Sequence, residues 1–408
     1  MVWFAADFIS LLGNAAIGLV LPWLVLIRTG DAAAAGLVAA CTAAPALAAA
    51  VLGGSLADRV GRRTIAVIAD AGSAVSVVLL FLVDTTLGLT IGWFVALGVL
   101  GAVFDVPGLT ARQSMLPEVA RASGMTLERA SGIRQALFGA SFLVGPALAG
   151  AALAVLPPQA VLLITAGCSA LAGLLTALLP RALNQHGESG GGLIGHVGEG
   201  LRLLRTVPVA LATTILGVGS VLAISPLQAV VLPVVFLALD QPALLGLTLS
   251  VFAVGLIGGS LLYGVVSTPL DQRGVRIPRR TLLVTAMFSA LVGLIGFAVA
   301  PVPGVIVASA VLVGLGYGLI NPMIPVLISE RVPESARARV LGLQNAGYLA
   351  AFPLGALAVG FVVQHIGVQA GAAASASAWA LCVVYGLTVP ALRRDAIESG
   401  SGRAGSPG

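Results

Sequence analysis

Residues 53–63 read "GGSLADRVGRR" and interrupt a mostly apolar amino-terminal region. Four charged side chains stand within this stretch, at Asp58, Arg59, Arg62 and Arg63. The apolar segments on either side are each long enough to cross a bilayer, since about 20 residues at ~1.5 Å per residue cover ~30 Å of hydrocarbon. We therefore predict a short charged loop between two membrane-spanning helices.

The composition places the rest of the chain in a membrane as well. Of 408 residues, 58% are hydrophobic and 9% are charged, and the mean hydropathy is +1.07. Too few polar groups remain to cover a water-soluble globule of this size. Twelve apolar segments of spanning length can be marked, and they are unbroken rather than alternating, which favours helices over barrel strands. The predicted fold class is an all-α membrane protein with twelve transmembrane helices.

The positive charges predict the orientation, because arginine and lysine near span ends are retained on the cytoplasmic side. All 21 positive residues are arginines. If the amino terminus is cytoplasmic, Arg28 is the one arginine left outside. We expect a multi-pass protein of the cytoplasmic membrane with both termini in the cytoplasm. The excess of positive over negative residues then indicates contact with an anionic inner leaflet of the membrane, and we expect no nucleic-acid partner.

The remaining reactive residue types argue against an enzyme. Cys41, Cys168 and Cys382 fall inside predicted spans and are expected to pack as small residues. The three histidines are scattered without metal-ligand spacing, and no nucleophile stands with a base. We expect no metal, no cofactor and no catalytic residue.

Two short repeats suggest a duplication. "PEVARA" at 117–122 is echoed by "PESARA" at 333–338, and "DRVG" at 58–61 by "DQRG" at 271–274. Both pairs occur in the same order and follow corresponding spans. The predicted organisation is a six-helix bundle at 1–180, a cytoplasmic linker with an amphipathic helix at 181–206, a second six-helix bundle at 207–392, and a disordered cytoplasmic tail at 393–408.

The charged loop carries a family resemblance. "GSLADRVGRR" at 54–63 resembles the signature loop of the major facilitator superfamily, and it lies between the second and third spans as in that family. With twelve spans and the echo in the second half, the resemblance covers the whole chain. It implies two pseudo-symmetric six-helix bundles that close alternately over a central site, and we expect a monomer.

A second motif is similar to one found in the exporters of that superfamily. "GASFLVGPALAG" at 139–150 lies in the fifth span, where glycines allow close helix approach and proline bends the helix. Glycine and proline are also common in spanning helices in general, so the alternative of an ordinary helix stays open. The motif residues are Gly139, Gly145, Pro146 and Gly150.

Further stretches resemble the twelve-span drug-exporter branch that includes macrolide and siderophore exporters: "SLLGNAAIGLVLPWLV" from Ser10, "FDVPGLTARQSMLPEV" from Phe104 and "EGLRLLR" from Glu199. Many members of that branch carry an aspartate in the first span where this chain has Asn14, which does not titrate. The proton-coupling role that the branch assigns there is in doubt for this chain.

The resemblance also implies a conformational gate on the cytoplasmic side. Asp58 is expected to accept hydrogen bonds from the start of a facing helix, and Arg62 to link Asp58 with Asp105 at the end of the fourth span. The alternative is that the arginines only fix the topology. The predicted gate residues are Gly54, Asp58, Arg59, Gly61, Arg62, Arg63 and Asp105.

Polar residues within the spans supply the other candidates. A carboxylate in hydrocarbon costs ~2.5–3.5 kcal/mol on insertion scales, so it is expected to pair, titrate or face water. Asp105 is the first choice for proton coupling, with Asp7 and Asp70 as alternatives that lie near the cytoplasmic side. In the family, the cavity is lined mainly by the first, fourth, seventh and tenth helices, with help from the second, fifth, eighth and eleventh. Each polar residue on these helices either lines the cavity or makes a hydrogen bond between helices. These candidates are Asn14, Gln228, Asn321, Gln344 and Asn345.

Together these patterns predict a secondary transporter that exports small lipophilic compounds, driven by a proton gradient. A cavity with little fixed charge favours a neutral or weakly charged small molecule. Two alternatives stay open: a proton-coupled or facilitative importer of a small metabolite, and a non-transporting sensor or scaffold that keeps the fold.

Overall fold

A computed structural model describes residues 1–180, 207–267, 278–300, 302–332, 334–390 and 392. In this part of the chain the ordered elements are all helical, as predicted, and there are twelve long helices. They are α1 Val2–Thr29, α2 Ala32–Val60, α3 Arg62–Thr86, α4 Ile91–Ala122, α5 Leu127–Val155, α6 Pro158–Ala177, α7 Pro208–Ala238, α8 Pro242–Ser267, α9 Arg279–Val299, α10 Pro303–Arg331, α11 Glu334–His365 and α12 Val368–Thr388.

Eleven of the described helices, all except α2, are long and apolar enough to cross a membrane over their described residues. The helix α2 is itself 29 residues long. This length and composition confirm the predicted multi-pass membrane protein.

Local sequence signals explain where the first helices end. Gly30 ends α1 in the left-handed conformation (φ 65°), and Asp31 then caps α2 by accepting hydrogen bonds from the amides of Ala33 and Ala34. Gly61 alone separates α2 from α3 and has φ 102°, which L side chains rarely adopt. Gly61, one of the predicted gate residues, thus forms a tight turn between the two helices.

The helix α7 changes geometry in its middle. Residues Leu227–Val231 form a π-helical turn between Pro226 and Pro233. Proline cannot donate an amide hydrogen bond and crowds the preceding turn, which is a common cause of such irregular turns within helices. Gln228, one of the predicted cavity residues, lies in this turn.

Contacts group the chain into two compact units. The first combines Met1–Gly191 with Gln228–Ser250 and Ala356–His365, and the second combines Gly192–Leu227, Val251–Gly355 and Ile366–Gly408. The bundle boundaries predicted at 1–180 and 207–392 stay a prediction. The predicted linker at 181–206 and tail at 393–408 lie outside the described residues.

In the first unit, α1 packs against α5 and α6, while α4 packs against α2 and α3. Arg28, the single arginine predicted outside, is neutralised near the end of α1. Its NH2 group lies 2.7 Å from Oδ2 of Asp84, whose side chain is fully buried, and Gln159 donates to the same oxygen at 2.7 Å. This contact ties α1, α3 and α6 together.

In the second unit, α9 packs against α10 and α12. The indole Nε1 of the fully buried Trp379 donates to the main-chain oxygen of Met287 at 2.9 Å, which joins α12 to α9. At the start of α9, Arg279 donates to both carboxylate oxygens of Glu330 at 2.6 and 2.7 Å. Bidentate pairs of this kind fix the geometry of the two helix ends.

Candidate functional site

A polar pocket lies inside the first unit, among α1, α3 and α4. The empty space between its lining residues is about 280 Å³, a figure that counts open solvent at its mouth. Charged and amide side chains in a membrane-spanning bundle are costly and mark functional sites. The residues lining the polar pocket are Asp7, Ser10, Leu11, Asn14, Ala69, Asp70, Asp105, Gly108, Leu109 and Arg112.

The best-satisfied ion pair of the pocket joins Asp70 on α3 to Arg112 on α4. The Arg112 guanidinium donates to Oδ2 of Asp70 and also to the hydroxyl of Thr176 on α6 at 3.2 Å. Ser10 on α1 donates to the other carboxylate oxygen of Asp70 at 3.1 Å. Both charged side chains are more than nine-tenths buried, so four helices contribute to one desolvated network.

A second buried ion pair joins Asp7 on α1 to Arg134 on α5. Nε of Arg134 lies 3.2 Å from Oδ2 of Asp7, whose side chain is fully buried. Within the described part of the chain, neither carboxylate oxygen of Asp7 has a partner with hydrogen-bond geometry. Because a buried pair is favourable only when its remaining polar atoms are satisfied, this pair is less well stabilised than Asp70–Arg112.

Asp105 has a different environment. Its Oδ1 accepts a hydrogen bond from the Ser73 hydroxyl of α3 at 2.6 Å, and it belongs to none of the ion pairs found among the described residues. The cluster thus contains three carboxylates, Asp7, Asp70 and Asp105, but two guanidinium groups. One negative charge is left in excess, and it falls on Asp105.

Of the predicted gate residues, Arg62 has well-defined contacts. Its NH1 donates to the main-chain oxygen of Ser114 at 2.8 Å and to Oε1 of Glu118 at 3.1 Å. The predicted contact between Arg62 and Asp105 is wrong in this structure, because Asp105 is level with Ser73. That position lies about 16 Å further along α3 than Arg62, at ~1.5 Å per residue.

The other gate positions are less informative. Arg63 donates to the main-chain oxygen of Ala177, and Arg59 is exposed. The surroundings of Gly54 and of the Asp58 side chain are not described by the structure, so the role of Asp58 stays a prediction. Glu118 is a contact of the gate that the sequence did not predict, although it belongs to the repeated "PEVARA" stretch.

The residues of the exporter-type motif do bring helices close together. A Cβ atom added at Gly150 would lie 2.5 Å from the main-chain oxygen of Pro242 and 2.9 Å from Cα of Gly246, at the start of α8. One added at Gly145 would lie 2.7 Å from Cβ of Ala15 on α1. The predicted close approach is present, while the link of Gly139, Gly145, Pro146 and Gly150 to export stays a prediction.

The predicted cavity residues do not come together at one site. Asn14 lines the polar pocket, Gln228 is half-buried in α7, and Asn321 and Asn345 are exposed. Gln344 is buried, and its Nε2 donates to the hydroxyls of two threonines on α7, Thr213 at 3.2 Å and Thr214 at 2.9 Å. Gln344 therefore makes a hydrogen bond between two helices, which is the second of the two roles predicted for the cavity candidates.

This geometry makes a prediction for Gln344. Replacing it by leucine is expected to lower the free energy of unfolding by about 0.6 kcal/mol, the typical value of an interhelical hydrogen bond in a membrane, and to leave transport unchanged. Both threonine hydroxyls keep main-chain acceptors on their own helix. Thermal unfolding and transport assays on Gln344→Leu and the wild type, at equal amounts of protein, check this. A loss of transport at unchanged stability would instead make Gln344 a substrate contact.

Several residues of the pocket escape prediction from the sequence. In the sequence, Arg112 and Arg134 indicate only the topology of the chain. Nothing in the sequence distinguishes Ser10, Ser73 or Thr176 from other serines and threonines. For the arginines, the available signal is their position inside or close to predicted spans. Among the described residues, no group of three or more His, Cys, Asp or Glu side chains is arranged to hold a metal ion; the expected absence of a metal stays a prediction.

Membrane-spanning helices that bury charged side chains in a pocket are typical of membrane transporters. The sequence model of the Major Facilitator Superfamily matches residues 3–234 and again 227–405. The chain therefore belongs to the Major Facilitator Superfamily. This confirms the family that the stretch at 54–63 indicated, and it confirms the prediction of a transporter rather than an enzyme.

Curated relatives and solved structures agree with this family. The chain is 33% identical over 381 residues to "Multidrug efflux pump Tap" of Mycobacterium tuberculosis, covering 91% of this chain and 88% of the relative. It is 30% identical over 390 residues to the protein of the same name from Mycolicibacterium fortuitum, covering 93% of each.

Among solved structures, the nucleoside transporter NupG superposes with a TM-score of 0.72 at 16% identity, over 96% of this chain and 99% of that one. A D-xylose-proton symporter superposes with a TM-score of 0.72 at 15% identity, over 95% and 96%. At these identities the likeness concerns the fold.

Proposed function

We propose that this protein exports small lipophilic compounds across the cytoplasmic membrane by alternating access, in exchange for protons. The observation that supports export is the similarity to multidrug efflux pumps over nine-tenths of the chain. The close helix contacts at Gly145 and Gly150, in the exporter-type motif, are consistent with it. Both termini are proposed to be cytoplasmic, and the functional unit to be a monomer.

The charge balance of the polar pocket supports proton exchange. Protonation of Asp105 leaves two formally neutral pairs, Asp7–Arg134 and Asp70–Arg112, and removes the excess charge. Protonating either of the paired aspartates instead leaves an arginine buried without its counter-ion, which costs more. Asp105 is therefore the proposed proton carrier, as it is the first choice from the sequence.

In the proposed cycle the proton on Asp105 changes which conformation is favoured. A charged Asp105 gains from water access to the pocket, whereas a protonated Asp105 tolerates a closed, dry pocket. For exchange, substrate binding and proton release must bias this equilibrium in the same direction, so that substrate and proton are not carried together. The two ion pairs stay formed and hold α1, α3, α4, α5 and α6 as a rigid frame.

Transport in proteoliposomes tests this proposal. Vesicles that contain the protein and are loaded with neutral or weakly charged lipophilic dyes are expected to move dye in the direction opposite to the protons when a proton gradient is imposed. Dye movement in the same direction as protons would support an importer, and no movement across a broad panel would support a sensor or scaffold.

Asp105→Asn is expected to abolish gradient-driven dye movement while dye exchange without a gradient continues. The amide keeps the shape and the hydrogen-bonding capacity of the side chain but cannot take up a proton. The matched control is Asp84→Asn, because Asp84 is a buried carboxylate of the same unit outside the pocket. If Asp105→Asn still couples dye to protons, the carrier is another group.

A further inference from the structure

Ser73 on α3 makes a hydrogen bond that sets it apart from its neighbours. Its hydroxyl reaches across to α4 and donates to Oδ1 of Asp105 at 2.6 Å, and the side chain is 5% exposed. Serine and threonine hydroxyls inside helices usually bond to the carbonyl three or four residues earlier in their own helix. Ser76, one turn further along α3, does this by donating to the main-chain oxygen of Ser73 at 2.8 Å.

A hydroxyl suits a group whose charge changes. It carries one donor hydrogen and two acceptor lone pairs. It can therefore donate to Asp105 when the carboxylate is charged and accept from it when the carboxyl group is protonated. An arginine or an amide N–H, by contrast, can only donate and cannot accept the hydrogen of the protonated carboxyl group.

We propose that Ser73 is the positioning residue that holds Asp105 in both protonation states and sets the pH at which it binds its proton. This inference rests on the proposed role of Asp105 as proton carrier. The side chain acts through Asp105 and is not itself a proton carrier, because a serine hydroxyl does not ionise near neutral pH.

The other charges facing Asp105 stay the same when Ser73 is changed. They are Asp7 from α1, Asp70 from α3, Arg134 from α5 and Arg112 on α4 itself. The charged residues of α2, Asp58 and Arg59, stand in its last turn, which leads through Gly61 into the start of α3, about 16 Å along α3 from Ser73. A change confined to the Ser73 hydroxyl thus isolates one hydrogen bond.

The sign of the effect follows from the direction of this bond. The donated hydrogen stabilises the charged carboxylate, so its removal makes protonation easier and moves the titration midpoint to higher pH. Hydrogen bonds to charged groups correspond to a shift of about one pH unit or more.

The test is an infrared pH titration of the purified full-length protein, which needs no substrate. The C=O stretch of a protonated carboxylic acid that disappears in Asp105→Asn reports Asp105. In Ser73→Ala its midpoint is expected about one pH unit higher than in the wild type. Ser73→Thr keeps the hydroxyl and is expected to restore the wild-type midpoint.

Ser76→Ala is the matched control, since it removes a similarly buried hydroxyl from the same helix without touching Asp105. A midpoint in Ser73→Ala equal to that in Ser76→Ala would overturn the inference, even if both variants are less stable. The proposed function fails separately: if Asp105→Asn removes no band, Asp105 binds no proton in the titrated range.

Discussion

Replacing Arg112 by alanine is expected to destabilise the protein by about 3–5 kcal/mol, the usual cost of leaving one member of a buried ion pair without its partner. Asp70 would keep the hydrogen bond from Ser10 but lose the guanidinium, in a site where its side chain is 7% exposed. Thermal unfolding of the purified protein, followed by circular dichroism, measures the loss. Arg121→Ala, at an arginine that is 71% exposed, provides the control.

The double variant Asp70→Asn with Arg112→Leu tests whether the stability lost in Arg112→Ala comes from the unpaired carboxylate of Asp70. Removing both charges leaves no uncompensated ion, so it is expected to recover most of the stability lost in Arg112→Ala. If the double variant is as unstable as Arg112→Ala, the loss comes from packing around Arg112 rather than from the orphaned carboxylate.

Replacing Gly150 by valine is expected to lower the transport rate about tenfold or more. The new Cβ would lie 2.5 Å from the main-chain oxygen of Pro242, well inside normal contact, so α5 and α8 cannot keep their spacing. Backbone atoms do not move aside as a flexible side chain does, and overpacking of this kind typically costs ~1–3 kcal/mol. A tenfold change in rate corresponds to about 1.4 kcal/mol, so the conformation that contains this close contact is depleted accordingly.

Gly132→Val is the matched control for this prediction. Gly132 lies on the same helix, and a Cβ added there meets no atom within 4 Å. Both variants carry the same intrinsic change in helix propensity, so transport measured at equal amounts of protein in the membrane isolates the contact. Equal rates in the two variants would mean that the α5–α8 contact is not needed during transport.

The sequence predicted the features that depend on composition and on local order. Apolar length fixes the spans, Gly61 fixes the turn after α2, and the glycines around Pro146 indicate close helix packing. The loop signature indicates the family, which the matches over residues 3–234 and 227–405 confirm. These features depend on residues near one another in the chain, so a reader of the sequence alone can find them.

Which charges meet could not be predicted in the same way. The sequence suggested Asp105 as a partner of Arg62, but the structure places Glu118 there and Ser73 beside Asp105. A contact between helices depends on the axial level and the rotation of each helix, and neither is encoded in a short motif. A shift of a few residues moves a side chain by a full turn, ~5.4 Å, which is enough to change its partner.

The sequence by itself therefore determined that this chain is a helical membrane transporter with a cluster of charges around the turn after α2; the predicted charged loop is Gly61 alone, because the charged residues belong to the ends of α2 and α3. Only the tertiary structure decided that Asp7 pairs with Arg134 and Asp70 with Arg112, which leaves Asp105 with Ser73. The reason is physical: hydrophobicity acts on each segment separately, whereas the pairing of buried charges depends on how five helices are packed together.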